Sequence, residues 1–372
     1  MKQIGVRELA KLANVSLGTV DRALHGRKEV NEQTRRRILE IAAKNGYVPN
    51  LAARALSARR TTILIGVCIP REIHYFYDQM YDGIVDEARR FEHAGVEVLY
   101  RPVKTLGSKC AKTVSKLLDE GIKALILVPG DPVEAASIIE IAEKKKDVRV
   151  ICLATDDSLS CRSSSISVEP GLNGRLAADL MTKFVQPGAQ VAVVTGMVAT
   201  EDNGKKVNGF SEVFQSDCPT GQIVEVIEGH EDEVETFEKC VAMLRKYPRL
   251  SGIYVSTVNC IPVCKAIRKA RPDGGVKVVA TDLFSEAVPY FENGTLAASI
   301  YQNPYRQGQS AVRLIVDHAL HGKALPSTLY LNPAIVMRAN LGLFRELQRQ
   351  PRQSARNKQS GQPTAAAARF SD

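Results

Sequence analysis

The sequence predicts an α/β protein, two lobes of parallel sheet flanked by helices, preceded by a small all-α head. Two patterns carry that reading. From residue 63 onward, short apolar runs alternate with amphipathic stretches of helical period, as parallel strands with covering helices require. Before it, in residues 1–60, apolar residues recur only at helical spacing, and 13 Lys and Arg stand against 5 Asp and Glu. That segment carries +8 in a chain whose formal net charge is +9. Charge concentrated in this way marks a surface that neutralises phosphates, because each contact releases condensed counterions.

At 372 residues the chain has room for two or three domains with separate cores. No segment approaches the roughly 20 apolar residues that span a bilayer, and Met1-Lys2-Gln3-Ile4 lacks the apolar stretch of a secretory leader, so the expected compartment is the cytoplasm. The eight cysteines form no CxxC pair, which suits buried thiols in a reducing compartment better than metal ligands or disulfides. His318 and His321 are three apart, with no third ligand near in sequence, so no metal is expected.

In the head, Val6, Leu9, Ala10 and Ala13 give one short helix. The period restarts at Val20, Ala23 and Leu24 after a turn at Ala13-Asn14-Val15. Ser16 is placed to cap the second helix, and Asn31 a third whose inner face is Thr34, Ile38, Ile41 and Ala42, ending at Asn45-Gly46. Leu17, Gly18, Asp21, Arg22 and His25 point away from the shared core of this helix-turn-helix, making the second helix the one suited to a major groove. Arg22 can contact guanine bidentately, or can pair with Glu29 or Glu32 on a solvated face. Pro49 then stops the third helix and Asn50 can cap a ten-residue, alanine-rich basic helix, 51–60. A helix that short is marginal alone and needs a partner.

Val15-Ser16, Thr19-Val20, Arg22, Val30, Thr34-Arg35, Gly46-Tyr47, Pro49-Asn50 and Leu56 together resemble the lactose/galactose repressor (LacI/GalR) family of bacterial transcription regulators. The resemblance implies a head at 1–49, a hinge helix at 50–61 and a two-lobed effector-binding and dimerisation domain at 62–343; the stretch at 344–372, rich in Arg, Gln, Ser and Ala with no apolar period, is expected to be a disordered tail. It makes Leu17, Gly18 and Arg22 base-reading positions and brings Ser16, Thr19 and Thr34 to phosphates. Ala53 and Leu56 fall on the hinge helix, with Leu56 as the apolar wedge that kinks a palindromic operator. Gly18 departs from the family's usual polar residue and Asp21 from its commoner serine, so direct readout leans on Leu17 and Arg22.

Downstream, apolar runs place strands at 63–69, 96–101, 124–128, 149–154, 190–195, 223–228, 252–255, 276–280 and 296–301, too many for one compact sheet. Ligands of open α/β sheets sit at the carboxyl ends of strands. The residues found there are His74-Tyr75-Phe76-Tyr77, Pro129-Gly130-Asp131, Asp156-Asp157, Asp282 and Gln302-Asn303. Aromatics to stack on a ring and carboxylates and amides to pair hydroxyls suit a sugar-like molecule. Residues 62–343 resemble the periplasmic sugar-binding-protein fold, closest to its ribose-binding branch. That resemblance puts His74, Tyr75, Phe76, Asp156, Asp282 and Gln302 on the effector. The family's arginine before a Gly-Phe pair is missing from Asp202-Asn203-Gly204-Lys205-Lys206-Val207-Asn208-Gly209-Phe210. Either a lysine, taken here as Lys205, replaces it, or the effector differs. Ser256, Thr257 and Asn259 are weaker candidates, Asn259 the one retained.

No P-loop, GxGxxG, GxSxG or HExxH motif is present, so neither catalysis nor a cofactor is expected. Asp156 with Asp282 would make an acid/base pair only with a nucleophile that the sequence does not offer. The expectation is a DNA-binding, effector-controlled homodimer without membrane attachment, and its rival is a sugar-binding protein with no regulatory role. The absence of leucine heptads after Phe344 favours a dimer over a tetramer.

Overall fold

A computed structural model describes residues 6–24, 30–45, 62–71, 73–106, 109–156, 160–257 and 260–342. The expected hinge helix with Ala53 and Leu56, the candidate Asn259 and the tail at 344–372 lie outside the described residues. The chain divides into a helical N-terminal unit and an α/β unit that begins at Ile63.

The helical unit holds α1 (Val6–Leu12), α2 (Leu17–Leu24) and α3 (Glu32–Lys44). Asn14 takes a left-handed backbone, φ 48, which turns the chain sharply between α1 and α2; asparagine tolerates that region better than most residues. Ser16 Oγ then accepts the Thr19 N–H at 3.1 Å, and Asn31 Oδ1 accepts the Gln33 N–H at 2.8 Å, so both expected caps are in place. Leu9, Ala10, Ala13, Val20, Ala23, Ile38 and Ala42 close the core. A core this small depends on each member.

The α/β unit contains two six-stranded sheets. The first-lobe sheet is built from β1 (Ile63–Cys68), β2 (Val96–Tyr100), β3 (Ala124–Leu127), β4 (Arg149–Leu153), β5 (Ser164–Ser167) and, from far downstream, β11 (Thr328–Tyr330). Their spatial order is β11-β5-β4-β3-β1-β2. The second-lobe sheet uses β6 (Gln190–Thr195), β7 (Gln222–Glu228), β8 (Leu250–Val255), β9 (Lys277–Thr281), β10 (Leu296–Tyr301) and β12 (Ala334–Val336), in the order β12-β10-β9-β8-β6-β7. Among the strand pairs of known register, only β10 with β12 is antiparallel; the others, such as Ile65 opposite Ala124, are parallel. Ala124–Leu127 is buried throughout, as a strand covered on both faces must be.

Each lobe carries one tightly apposed helix pair. In the first, α4 (His74–Arg90) lies against α12 (Pro304–His321), which returns from the second lobe; in the second, α7 (Pro170–Phe184) lies against α8 (Glu201–Asp217). The Lys206 carbonyl of α8 occupies the place that a β-carbon on Gly174 would take, so only glycine permits that approach. Glu87 of α4, 1% exposed, is paired with Arg313 of α12 at 2.6 Å. The chain crosses between lobes after β5, after β10 and between β11 and β12.

All the strands expected from apolar runs are present, with ends shifted by one or two residues. Three further strands were not anticipated. β5 reads Ser-Ser-Ile-Ser and is buried along its whole length, its serines accommodated between β4 and β11. β11 and β12 are three residues each and only partly buried, and although β12 reads Ala-Ile-Val it is too short to stand out as a strand.

Candidate functional site

In the helical unit, α2 presents its first turn outward: Leu17 is 47% exposed, and Ser16 and Gly18 are exposed as well. The other face of the helix is sealed by Val20 and Ala23. Arg22 is half-buried; its Nη2 lies 3.7 Å, and Ser16 Oγ 3.8 Å, from the place a β-carbon on Gly18 would occupy. Both are ordinary van der Waals distances, so a β-carbon at position 18 would sit beside the guanidinium without displacing it. Thr19 and Thr34 are half-buried, and Ser16 Oγ and Thr19 Oγ1 are 2.9 Å apart. Glu32 faces Arg35 at 3.8 Å, whereas Glu29 and His25 lie outside the described residues.

In the α/β unit the three candidate aromatics at the start of α4 separate. Phe76 is 3% exposed and belongs to the core. Tyr75 crosses to the second lobe and stacks on Phe284, with ring centroids 3.9 Å apart and planes at 21°. His74 is exposed, its Nε2 3.7 Å from Glu286 Oε1, also of the second lobe. Burial and the carboxylates around it push the Tyr75 hydroxyl well above the ordinary phenol range, keeping it neutral. Asp156, after β4, is engaged by Arg162 through both Nε and Nη2 and accepts from Ser165 Oγ at 3.1 Å. Arg162 also donates to Ser327 O at 3.0 Å, so this clamp fixes the chain entering β11.

The second lobe concentrates charge at the ends of its strands. Asp282, the first residue after β9, is 2% exposed and left-handed, φ 65. Its carboxylate accepts the Gln302 N–H at 2.9 Å and Gln302 Nε2 at 2.7 Å. Burial pushes its pKa up to about 6; the Gln302 bonds and, farther off, Lys206 oppose that shift, while Asp202 adds to it. The two lysines of α8 are on different faces. Lys205, the sequence-expected replacement for the family's arginine, is exposed and paired with Glu201 at 2.5 Å. Lys206 is the buried one, 5% exposed, donating to Asp202 Oδ2 at 2.6 Å. The helix phase set by Phe210 and Phe214, both buried, turns Lys206 inward and Lys205 out.

Two further side chains that the sequence reading left out approach this region. Glu231 Oε1 and Asn203 Nδ2 each lie 2.8 Å from where a β-carbon on Gly196, the first residue after β6, would stand. His230 and Glu231 are both left-handed, φ 50 and 59, an uncommon backbone for side chains of this kind, and their sequence context Gly229-His230-Glu231-Asp232 gives no signal beyond a turn. Tyr254, fully buried, donates to Asn173 Oδ1 at 3.1 Å beneath the same strand ends. Gln302 is 7% exposed; Asn259 lies outside the described residues. Among the described residues no group of His, Cys, Asp and Glu could hold a metal ion, and no helix is long and apolar enough to cross a membrane.

Residues 65–324 match the family model described as "Periplasmic binding protein domain", and residues 6–50 that of "Bacterial regulatory proteins, lacI family". Catabolite control protein A of Priestia megaterium is 26% identical over 327 residues, covering 85% of this chain and 92% of that protein. The D-allose-binding periplasmic protein of Escherichia coli K12 is 23% identical, covering 68% of this chain and 83% of its own length. Among solved structures, a glucose-galactose binding protein from Geobacillus stearothermophilus superposes with a TM-score of 0.69 at 21% identity, over 76% of this chain and 99% of that one.

Proposed function

The chain belongs to the family built on the periplasmic binding protein domain and begins with the DNA-binding region of the lacI-type bacterial regulators, and on that premise we propose that it is a sugar-responsive transcription regulator whose operator binding is set by a small polyhydroxylated effector held between the lobes. One observation carries the reading: a single chain joins a helix-turn-helix whose α2 turns Leu17 outward to a two-lobed unit with a buried Asp282, Lys206 and Gln302 at its strand ends. Leu17, Gly18 and Arg22 read bases, and Ser16, Thr19 and Thr34 approach phosphates. Asp282, Gln302 and Lys206 pair effector hydroxyls, with Tyr75 and His74 closing from the opposite lobe.

The protein acts in the cytoplasm as a homodimer, because two heads related by a two-fold axis match a palindromic operator. Its working parts are a head at 1–49, a hinge at 50–61 that places Ala53 and Leu56 on the minor groove, and an effector domain at 62–343. It binds its sugar without turning it over, as the relatives named above are a regulator and binding proteins. The likeness to sugar-binding proteins of transport favours a second reading as a plain binding protein, which leaves the exposed α2 face without a role.

Selection of bound sequences from random duplexes by the full-length protein separates the two. A palindrome with two half-sites is the expected outcome; recovery of unenriched sequence, with sugar binding intact, would favour the plain binding protein.

A further inference from the structure

A line of hydrogen bonds runs from Asp282 in the second lobe to Ala154 in the first. Asp282 holds Gln302 by both its backbone N–H and its side-chain amide. The Gln302 carbonyl accepts from Gln307 Nε2 at 3.1 Å, and Gln307 Oε1 accepts the Ala154 N–H at 3.2 Å. Gln302 is the first residue of the crossing between lobes, and Gln307 lies one turn into α12.

The two ends of this line are equivalent places. β4 and β9 each occupy the third position of their sheets, counted from β11 and β12. Ala154 and Asp282 are the first residues after them, with φ 64 and 65. Each donates its N–H to the neighbouring strand, Ala154 to Ile166 O at 3.1 Å and Asp282 to Ile300 O at 2.9 Å. Non-glycine residues persist in that backbone region only where their surroundings over-determine it. The line therefore ties a left-handed residue after a strand of one lobe to its counterpart in the other, through the segment that crosses between them.

Gln307 also stands where packing alone would favour an apolar residue. It is 1% exposed on the α12 face that buries Gly308, Ala311, Val312 and Ile315. Burying an amide there is offset only by its bonds, so stranding either end is unfavourable. The Ala154 N–H is shared between Gln307 Oε1 and Ile166 O, so a shift of Gln307 changes that sharing. The loop it reaches carries Asp156 and its Arg162 clamp two residues on.

We propose that Gln307 is the positioning residue that passes the state of the Asp282 site to the loop of the opposite lobe. This rests on the effector-cleft reading above, but its test needs neither effector nor operator, so the two can fail separately. Hydrogen–deuterium exchange is followed in the full-length protein at segments 152–156 and 279–283 for the wild type, Asp282→Asn, Gln307→Leu and the double variant, with Ile315→Val as a packing control on α12. Asp282→Asn is expected to speed exchange at 152–156 about threefold although the substitution lies in the other lobe, and to add nothing once Gln307 is leucine; the control leaves the ratio between the two segments unchanged. An Asp282→Asn effect that is absent at 152–156, or that is the same with and without Gln307, overturns the proposal.

Discussion

Tyr75 of the first lobe stacks on Phe284 of the second, centroids 3.9 Å apart, so a ring expected to cover an effector also joins the lobes. Phe284 is 1% exposed and anchored in the second-lobe core, whereas Tyr75 is only partly buried, so Tyr75 is the member free to move. Offset aromatic pairs contribute about 0.5–1.5 kcal/mol beyond their buried area. A double-mutant cycle of Tyr75→Leu and Phe284→Leu, read by urea unfolding, is expected to return a coupling of about 1 kcal/mol. Strict additivity would show that the stack does not hold the lobes.

The raised pKa of Asp282 has a definite sign. Its folded value of about 6 lies above the unfolded value near 3.9, so the contribution of Asp282 to stability is full below pH 4 and is lost as pH rises through 6. The stability of the wild type relative to Asp282→Asn should fall by roughly 2 kcal/mol between pH 4 and pH 7. Denaturant midpoints for both proteins across that range check it, and a difference that is flat or grows with pH contradicts it.

Lys205 and Lys206 give opposite expectations from adjacent positions. Lys206→Met leaves Asp202, whose side chain is 18% exposed, without its cation, and should cost about 3 kcal/mol in unfolding experiments. Lys205→Met removes an exposed pair, side chains 50% and 42% exposed, and should cost less than about 0.5 kcal/mol. Sugar binding, measured calorimetrically, should be lost in the first variant and retained in the second.

For the head, Arg22→Ala should weaken binding to the selected duplex by about 1–3 kcal/mol while changing affinity for unrelated duplex by much less, in fluorescence anisotropy at fixed salt. Ile38→Ala opens the fully buried centre of the three-helix core and should cost about 2–5 kcal/mol, melting the head while sugar binding persists.

The layered α/β architecture and the three-helix head were legible because both rest on periodicity, which a sequence displays directly. β5 was hidden because four residues rich in serine are buried by their neighbours rather than by their own hydrophobicity. The site was legible in part. Strand-end reasoning found Asp282 and Gln302, which the structure joins. It placed Tyr75 and Phe76 together, whereas helix geometry sends one across the lobes and the other into the core. That Lys206 is the buried lysine and Lys205 the exposed one depends on a helix phase that two adjacent lysines do not reveal, and Glu231 owes its position to a left-handed turn. Gln307 reads as one more polar residue in an amphipathic helix, because nothing local shows that its face meets a crossing between lobes.

Operator affinity measured with and without D-ribose, D-allose, D-arabinose and D-galactose, using the selected duplex and the full-length protein, wild type beside Asp282→Asn, is the most direct test of effector control. At least one sugar is expected to change wild-type affinity tenfold or more, a shift of about 1.4 kcal/mol, and to lose that effect in the variant. A sugar that binds the protein tightly yet leaves operator affinity unchanged would contradict the coupling at the centre of the account.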